Sequence, residues 1–130
     1  MLARRLAVLG VGVSGLLWTL SPQVLDYVGL SGALYGLLVW VMLPQALKGD
    51  GLAITTSLSV VGWAIWQRTH GANAHEEAMI GGHIVVQAHL YGIATAVAAC
   101  TLEAALRTLK AHRSPATSTT APRSAPPRRA

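Results

Sequence analysis

Val28–Leu47 reads VGLSGALYGLLVWVMLPQAL, which is twenty consecutive residues without a charged side chain. A helix that crosses a bilayer needs about 20 mostly apolar residues, each adding roughly 1.5 Å to its length. Three more apolar stretches are Leu6–Leu20 and Leu52–Trp66, which carry no charge, and Ile84–Leu106, in which only His89 and Glu103 are ionisable apart from Tyr91 and Cys100. The first two of these are short, but uncharged flanking residues can lengthen them. We therefore predict an all-α membrane protein, a polytopic helical bundle of four transmembrane helices.

The composition of the chain supports a membrane protein and excludes several other classes. Hydrophobic residues make up 52% of the 130 residues and charged residues only 12%, about half the charged fraction of an ordinary soluble domain. This hydrophobicity excludes a disordered chain, and a single cysteine excludes a disulfide scaffold. We expect residues 1–112 to form one transmembrane domain. Residues 113–130 are rich in Pro, Ser, Thr and Arg, and we expect them to be a disordered basic cytoplasmic tail.

The basic residues are distributed asymmetrically between the two sides of the predicted bundle. If the N-terminus is cytoplasmic, nine of the ten Lys and Arg residues fall in cytoplasmic segments, and only Arg68 lies outside. This distribution obeys the positive-inside rule, so we expect both termini to be cytoplasmic. With Arg4 and Arg5 before it, the first apolar stretch also resembles a signal peptide. No small-residue cleavage site follows it, which favours an uncleaved helix. The excess of basic over acidic residues then reflects the orientation of the chain in the membrane and its contact with anionic lipid, not nucleic-acid binding.

Two polar residues inside the predicted spans are candidates for function, because a polar side chain is costly within a bilayer. Ser31 lies near the start of the second span and His89 near the start of the fourth. Both spans enter from the outer face in the predicted topology, so the two residues lie at similar depth, His89 about five residues or roughly 8 Å down. A serine and a histidine on neighbouring helices at matched depth can act as nucleophile and general base.

The neighbours of this serine and histidine fit the same chemistry. Gly29 and Gly32 flank the serine and permit a sharp turn and the close approach of another backbone. The amides at the start of that helix point outward with the positive end of its dipole, where an oxyanion needs donors. Tyr35 follows one turn later on the same face, so its ring can support the imidazole of His89. Gly92 lies about one turn beyond the histidine.

Helix packing is the competing explanation for these residues. Gly32 and Gly36 form a G-x-x-x-G pattern, which is common where membrane helices pack closely. A second G-x-S-G sequence, Gly12–Gly15, has no histidine at its depth, and we interpret its Ser14 as a small packing residue. His89 can equally form a single interhelical hydrogen bond. The matched depth and the flanking glycine favour the catalytic interpretation.

A metal or haem site is another interpretation of the histidines. Four of them lie within 20 residues: His70, His75, His83 and His89. Their spacing matches no H-x-x-x-H pattern, and residues 1–69 contain no second histidine for a haem. We therefore expect neither a metal nor another cofactor. The polar segment from Gln67 to about His83 is predicted to be a solvated outer loop.

The candidate residues resemble the rhomboid family of intramembrane serine proteases. The similarity lies in Gly29–Gly32 on one helix and Ala88–Gly92 on a later helix, and it extends to the order and separation of these motifs. Within the family the chain most resembles rhombosortase, from Tyr27–Leu37 and again from Val85–Gly92. The resemblance covers about residues 6–106.

The resemblance implies a role for each matching residue. Ser31 would be the nucleophile and His89 its general base, with Tyr35 stacked on the histidine. The backbone amide of Ser31 would help to bind the oxyanion, and Gly92 would let the two helices pack closely. The substrate would be a membrane-anchored protein whose C-terminal sorting segment has a small-residue motif, an apolar helix and a basic end. Cleavage would occur near the outer face of the bacterial inner membrane.

The chain departs from the family in its side-chain oxyanion donors. Rhomboids carry them on an earlier helix with an H-x-x-x-N pattern, whereas here no histidine precedes His70 and the only asparagine is Asn73. The four spans thus resemble the last four of the six rhomboid core helices. This departure favours the alternative of a non-catalytic rhomboid-like protein, or an inactive fragment, that binds transmembrane segments. A start codon placed too far downstream is a third explanation.

Overall fold

The computed structural model describes residues 2–24 and 30–113, which contain five α-helices. These helices are α1 (Leu2–Leu20), α2 (Ser31–Ala46), α3 (Gly51–His70), α4 (Ala74–Ile80) and α5 (Val86–Arg113). No strand occurs within these two segments, so the all-α prediction is confirmed for them. The predicted disordered tail lies outside the described residues from position 114 onward.

Helix α3 extends further than its apolar stretch. Its N-cap is Asp50, whose carboxylate accepts a hydrogen bond of 3.1 Å from the backbone amide of Ala53, satisfying one of the free donors at the helix start. The helix then continues through Gln67 to His70. Our assignment of Gln67 to a solvated loop is therefore wrong, because this side chain is only 2% exposed and has a partner inside the bundle.

The short helix α4 lies within the segment that we predicted to be a loop. The side chain of Asn73 accepts a hydrogen bond from the backbone amide of His75 at 2.9 Å and caps the start of the helix. Gly81 ends the helix with a left-handed backbone conformation, φ +67°, which glycine adopts without steric cost. The connection between α3 and α5 is thus partly ordered by local capping.

Two helices, α1 and α5, are long and apolar enough to cross a membrane, judged by length and composition. Helix α2 is apolar but contains only 16 residues. At a rise of roughly 1.5 Å per residue it is about 24 Å long, whereas the hydrocarbon core of a bilayer is about 30 Å thick. Two of the four predicted spans therefore meet this test, and the prediction of four transmembrane helices stays a prediction.

Helix α2 is the central element of the bundle and contacts α1, α3 and α5. Two clusters of buried side chains pack against α1. The first cluster contains Leu9, Ala33, Val39, Trp40 and Ala96, and the second contains Val13, Leu17 and Ala88. Both clusters join α1 to α5, so the candidate residues on α2 and α5 are held by packing from a third helix.

Helices α2 and α5 run in the same direction, and their backbones come into contact within the first two turns of each. A Cβ atom on Gly92 would overlap the carbonyl group of Gly32, and one on Gly36 would lie 2.5 Å from the carbonyl oxygen of Gly92. About two turns further along both helices, the Cys100 sulfur lies 3.8 Å from the Trp40 carbonyl oxygen. The glycines therefore bring the starts of α2 and α5 together at one end of the bundle.

Candidate active site

The side chains of Ser31 and His89 meet where α2 and α5 begin. The Nε2 atom of His89 lies 3.2 Å from the Ser31 hydroxyl oxygen, within hydrogen-bond distance. His89 is buried, with 3% of its surface exposed, whereas Ser31 is half-buried. Helix α5 begins at Val86, two residues later than the apolar stretch, so both residues lie in the first turn of their helices. The two residues are thus positioned for proton transfer between the hydroxyl and the imidazole.

The ring of Tyr35 stacks on one face of the His89 imidazole. Its ring centroid lies 4.1 Å from that of His89, and the two ring planes differ by 7°. Tyr35 follows Ser31 by four residues on α2, so it lies one turn below the serine on the same face. Because Tyr35 covers only a face of the ring, the two nitrogens at the ring edge of His89 can still form hydrogen bonds.

Gln67 is the second hydrogen-bond partner of this histidine, and we did not predict it. Its Oε1 atom lies 3.0 Å from Nδ1 of His89, on the opposite side of the ring from Ser31. Helical spacing could have identified this residue, because Ala53, Val60, Ala64 and Gln67 follow one another at intervals of seven, four and three. This spacing places Gln67 on the face of α3 that turns towards the bundle.

The start of α2 provides positive electrostatic potential beside the Ser31 hydroxyl. Ser31 is the first residue of the helix, and its N-cap residue, Leu30, makes no side-chain capping bond. The amides of a first helical turn have no acceptor within the helix and carry the positive end of its dipole. An oxyanion that forms after attack by Ser31 would arise next to this positive end. Gly29, which we predicted to support the site, lies outside the described residues.

Gly32 and Gly92 form the backbone contact that sets the distance between the serine and histidine helices. Both are buried, and the space beside Gly92 is filled by the backbone of Gly32. No larger residue fits at position 92 unless α2 or α5 moves. The two predicted supporting glycines therefore lie at the site.

An apolar groove lies beside Tyr35, between α2 and α3. Its volume is about 340 Å³, and its lining residues are Leu34, Tyr35, Leu38, Ser59, Val60 and Trp63. Since Tyr35 contacts both this groove and His89, an apolar segment held in the groove would lie next to the histidine.

The other candidate residues do not join the site. Ser14 is exposed, because α1 buries Leu9, Val13 and Leu17 on one face and Ser14 points away from it, so our interpretation of Ser14 as a packing residue is wrong. His70 interacts with Trp66 and Thr69 on its own helix. Within residues 2–24 and 30–113, His, Cys, Asp and Glu side chains form no group of three that could hold a metal ion.

Comparison of the chain with protein-family models, curated proteins and solved structures gives no match in any of the three.

Proposed function

We propose that this chain is a rhombosortase-like intramembrane serine endopeptidase whose catalytic residues are Ser31 and His89. The observation that carries the proposal is the 3.2 Å hydrogen bond between His89 Nε2 and the Ser31 hydroxyl. The histidine is buried and stacked on Tyr35, and the serine lies at a helix N-terminus. An oriented base within reach of a hydroxyl, beside a positive dipole end, is the arrangement that nucleophilic catalysis uses. The resemblance in sequence implies the same two residues.

The reaction follows from these positions. His89 Nε2 accepts the proton of the Ser31 hydroxyl while its oxygen attacks the carbonyl carbon of the scissile peptide. The carbonyl oxygen becomes an oxyanion, which the Ser31 amide and the positive end of α2 stabilise. The protonated imidazole then donates its proton to the leaving amine, the C–N bond breaks and an acyl-serine remains. Water, deprotonated by His89, hydrolyses the acyl-serine, which releases the new carboxylate and restores the hydroxyl.

The proposed setting is the bacterial inner membrane, with α1, α2, α3 and α5 spanning it and both termini in the cytoplasm. Large apolar side chains on the outside of the bundle support this setting: Trp18 is 83% exposed and Leu58 69% exposed. Such side chains are stable in lipid, whereas a soluble protein would bury them. The positive-inside distribution supports this orientation, in which Ser31 and His89 would lie near the outer face.

A non-catalytic binder of transmembrane segments is the second candidate function. The apolar groove between α2 and α3 favours it, because a groove of about 340 Å³ can accept side chains from an apolar helix. The groove serves either function, so cleavage must be measured separately from binding.

The test is cleavage of a membrane-anchored reporter by the full chain in liposomes. The reporter carries a small-residue motif, an apolar helix and a basic end, and mass spectrometry identifies the products. We expect the parent to cleave, and Ser31→Ala and His89→Ala to be inactive but still inserted. Ser14→Ala is the matched control, since its serine lies in the same G-x-S-G pattern, and it should cleave at the parent rate. Reporter binding without cleavage by an inserted parent chain would favour the binder instead.

A further inference from the structure

Gln67 is a buried polar residue whose carbonyl oxygen faces the catalytic histidine. It lies in the last turn of α3 and is 2% exposed, although the neighbouring residues Arg68 and Thr69 are exposed. Burying an amide costs free energy unless it makes hydrogen bonds. Its Oε1 atom lies 3.0 Å from His89 Nδ1, across 22 residues of sequence. The amide oxygen of Gln67 therefore forms its hydrogen bond with the imidazole of His89.

This hydrogen bond determines which nitrogen of the imidazole carries the proton. An amide oxygen only accepts hydrogen bonds, so His89 Nδ1 must carry the hydrogen that it donates to Gln67. A neutral imidazole carries one such hydrogen, which leaves Nε2 without a proton and able to accept from the Ser31 hydroxyl. With the amide reversed, its NH₂ group would donate to Nδ1, and the hydrogen on Nε2 would block proton abstraction from Ser31.

We propose that Gln67 is a positioning residue that holds His89 in the tautomer able to deprotonate Ser31. The proposal rests on the proposed function, since it concerns the base of the same reaction. Gln67 fixes the ring from the Nδ1 side and Tyr35 fixes it from one face, so Nε2 is aimed at the hydroxyl. Once Nε2 has taken the proton, the imidazolium still donates from Nδ1 to the amide oxygen, and this contact favours the charged intermediate.

The first part of the test measures the rate of fluorophosphonate labelling of the full chain in membranes. Gln67→Met keeps the length of the side chain but replaces the amide oxygen with a weak acceptor. Where a triad histidine is forced into the wrong tautomer, kcat falls about 10⁴-fold. Since a neutral amide interacts less strongly than a carboxylate, we expect Gln67→Met to label ~10²-fold more slowly. Gln67→Glu keeps an acceptor and should restore most of the rate.

Ser21→Ala is the control for loss of a part-buried hydrogen bond between side chains. Ser21 is 3% exposed, and its hydroxyl lies 2.9 Å from the Tyr91 hydroxyl, so the variant loses a part-buried polar contact that involves neither Ser31 nor His89. It should label at the parent rate. If Gln67→Met also labels at the parent rate, or if Gln67→Glu is as slow as Gln67→Met, the positioning role is wrong.

The second part of the test is ¹⁵N NMR of the histidine rings, which reports the tautomer without any need for activity. The signal of His89 is identified by its loss in His89→Ala. We expect a protonated Nδ1 and a bare Nε2 in the parent, and a protonated Nε2 in a substantial fraction of Gln67→Met. A protonated Nε2 in the parent, or no change in Gln67→Met, would overturn the inference. A parent that has the expected tautomer but does not label would contradict the proposed function alone.

Discussion

Gly92→Ala should disrupt the Ser31–His89 hydrogen bond without changing either residue. The new Cβ atom would overlap the carbonyl group of Gly32 and lie 3.3 Å from the backbone nitrogen of Gly36. Both neighbours are backbone atoms of α2, so no side chain can rotate to make space. Helices α2 and α5 would have to move apart at the end where the candidate site lies.

The magnitude follows from the length of the hydrogen bond. The Ser31–His89 distance is already 3.2 Å, at the long end of the usual range. A separation of about 1 Å between the helices would take the two atoms out of hydrogen-bond contact, and a misplacement of that size can lower a rate about 10²-fold. This factor corresponds to about 2.7 kcal/mol of activation free energy. We therefore expect Gly92→Ala to react with a fluorophosphonate about 10²-fold more slowly than the parent.

The assay compares labelling rates for variants that are inserted in membranes to the same extent. Gly15→Ala and Gly62→Ala are the matched controls, because a Cβ atom at either position meets nothing within 4 Å. They make the same chemical change in α1 and α3 and should label at the parent rate. If inserted Gly92→Ala labelled as fast as these controls, the close contact between α2 and α5 would not set the geometry of the dyad.

Three further predictions concern the surroundings of the site. Tyr35→Phe keeps the stacked ring and should label within about threefold of the parent, whereas Tyr35→Ala should be about tenfold slower, because a stacked pair contributes about 0.5–1.5 kcal/mol; equal rates for the two variants would exclude a role for stacking. Ser21→Ala removes the hydrogen bond to Tyr91 and should lower the free energy of unfolding by about 1 kcal/mol, measured by denaturation in detergent; an unchanged stability would contradict this. Glu103→Gln removes ion pairs of 3.3 and 3.6 Å to two largely exposed arginines, so it should change stability by less than about 1 kcal/mol, and a larger loss would contradict the weak contribution of these pairs.

The sequence predicts the long helices well because hydropathy is a local property. Helices α1, α2, α3 and α5 all lie on the predicted apolar stretches. Their ends depend on capping, which hydropathy does not record: Asp50 starts α3, and Asn73 and Gly81 bound α4. Helix α4 was missed because it has only seven residues, too few for an apolar periodicity to show. Asn73 before it and the two glutamates in its first turn are nevertheless typical of a helix start.

The candidate site could be predicted only in the part that depends on matched depth. Ser31 and His89 lie in the first turns of two neighbouring parallel helices, and Tyr35 follows the serine by one turn. Their proximity therefore follows from topology and helical spacing. Gln67 was missed, although its spacing from Ala53, Val60 and Ala64 places it on the inward face of α3. A glutamine after an apolar stretch ordinarily indicates a helix end in water, and its buried contact depends on a partner 22 residues away.

The most direct test of the central claim is the chemical identity of the residue that reacts with a fluorophosphonate. The full chain is labelled in membranes, digested and examined by mass spectrometry beside Ser31→Ala, His89→Ala and Ser14→Ala. We predict an adduct on Ser31 that is absent from the His89→Ala chain and unchanged in Ser14→Ala. An inserted parent chain without an adduct on Ser31, or an adduct that forms equally well in His89→Ala, would contradict a Ser31–His89 catalytic pair.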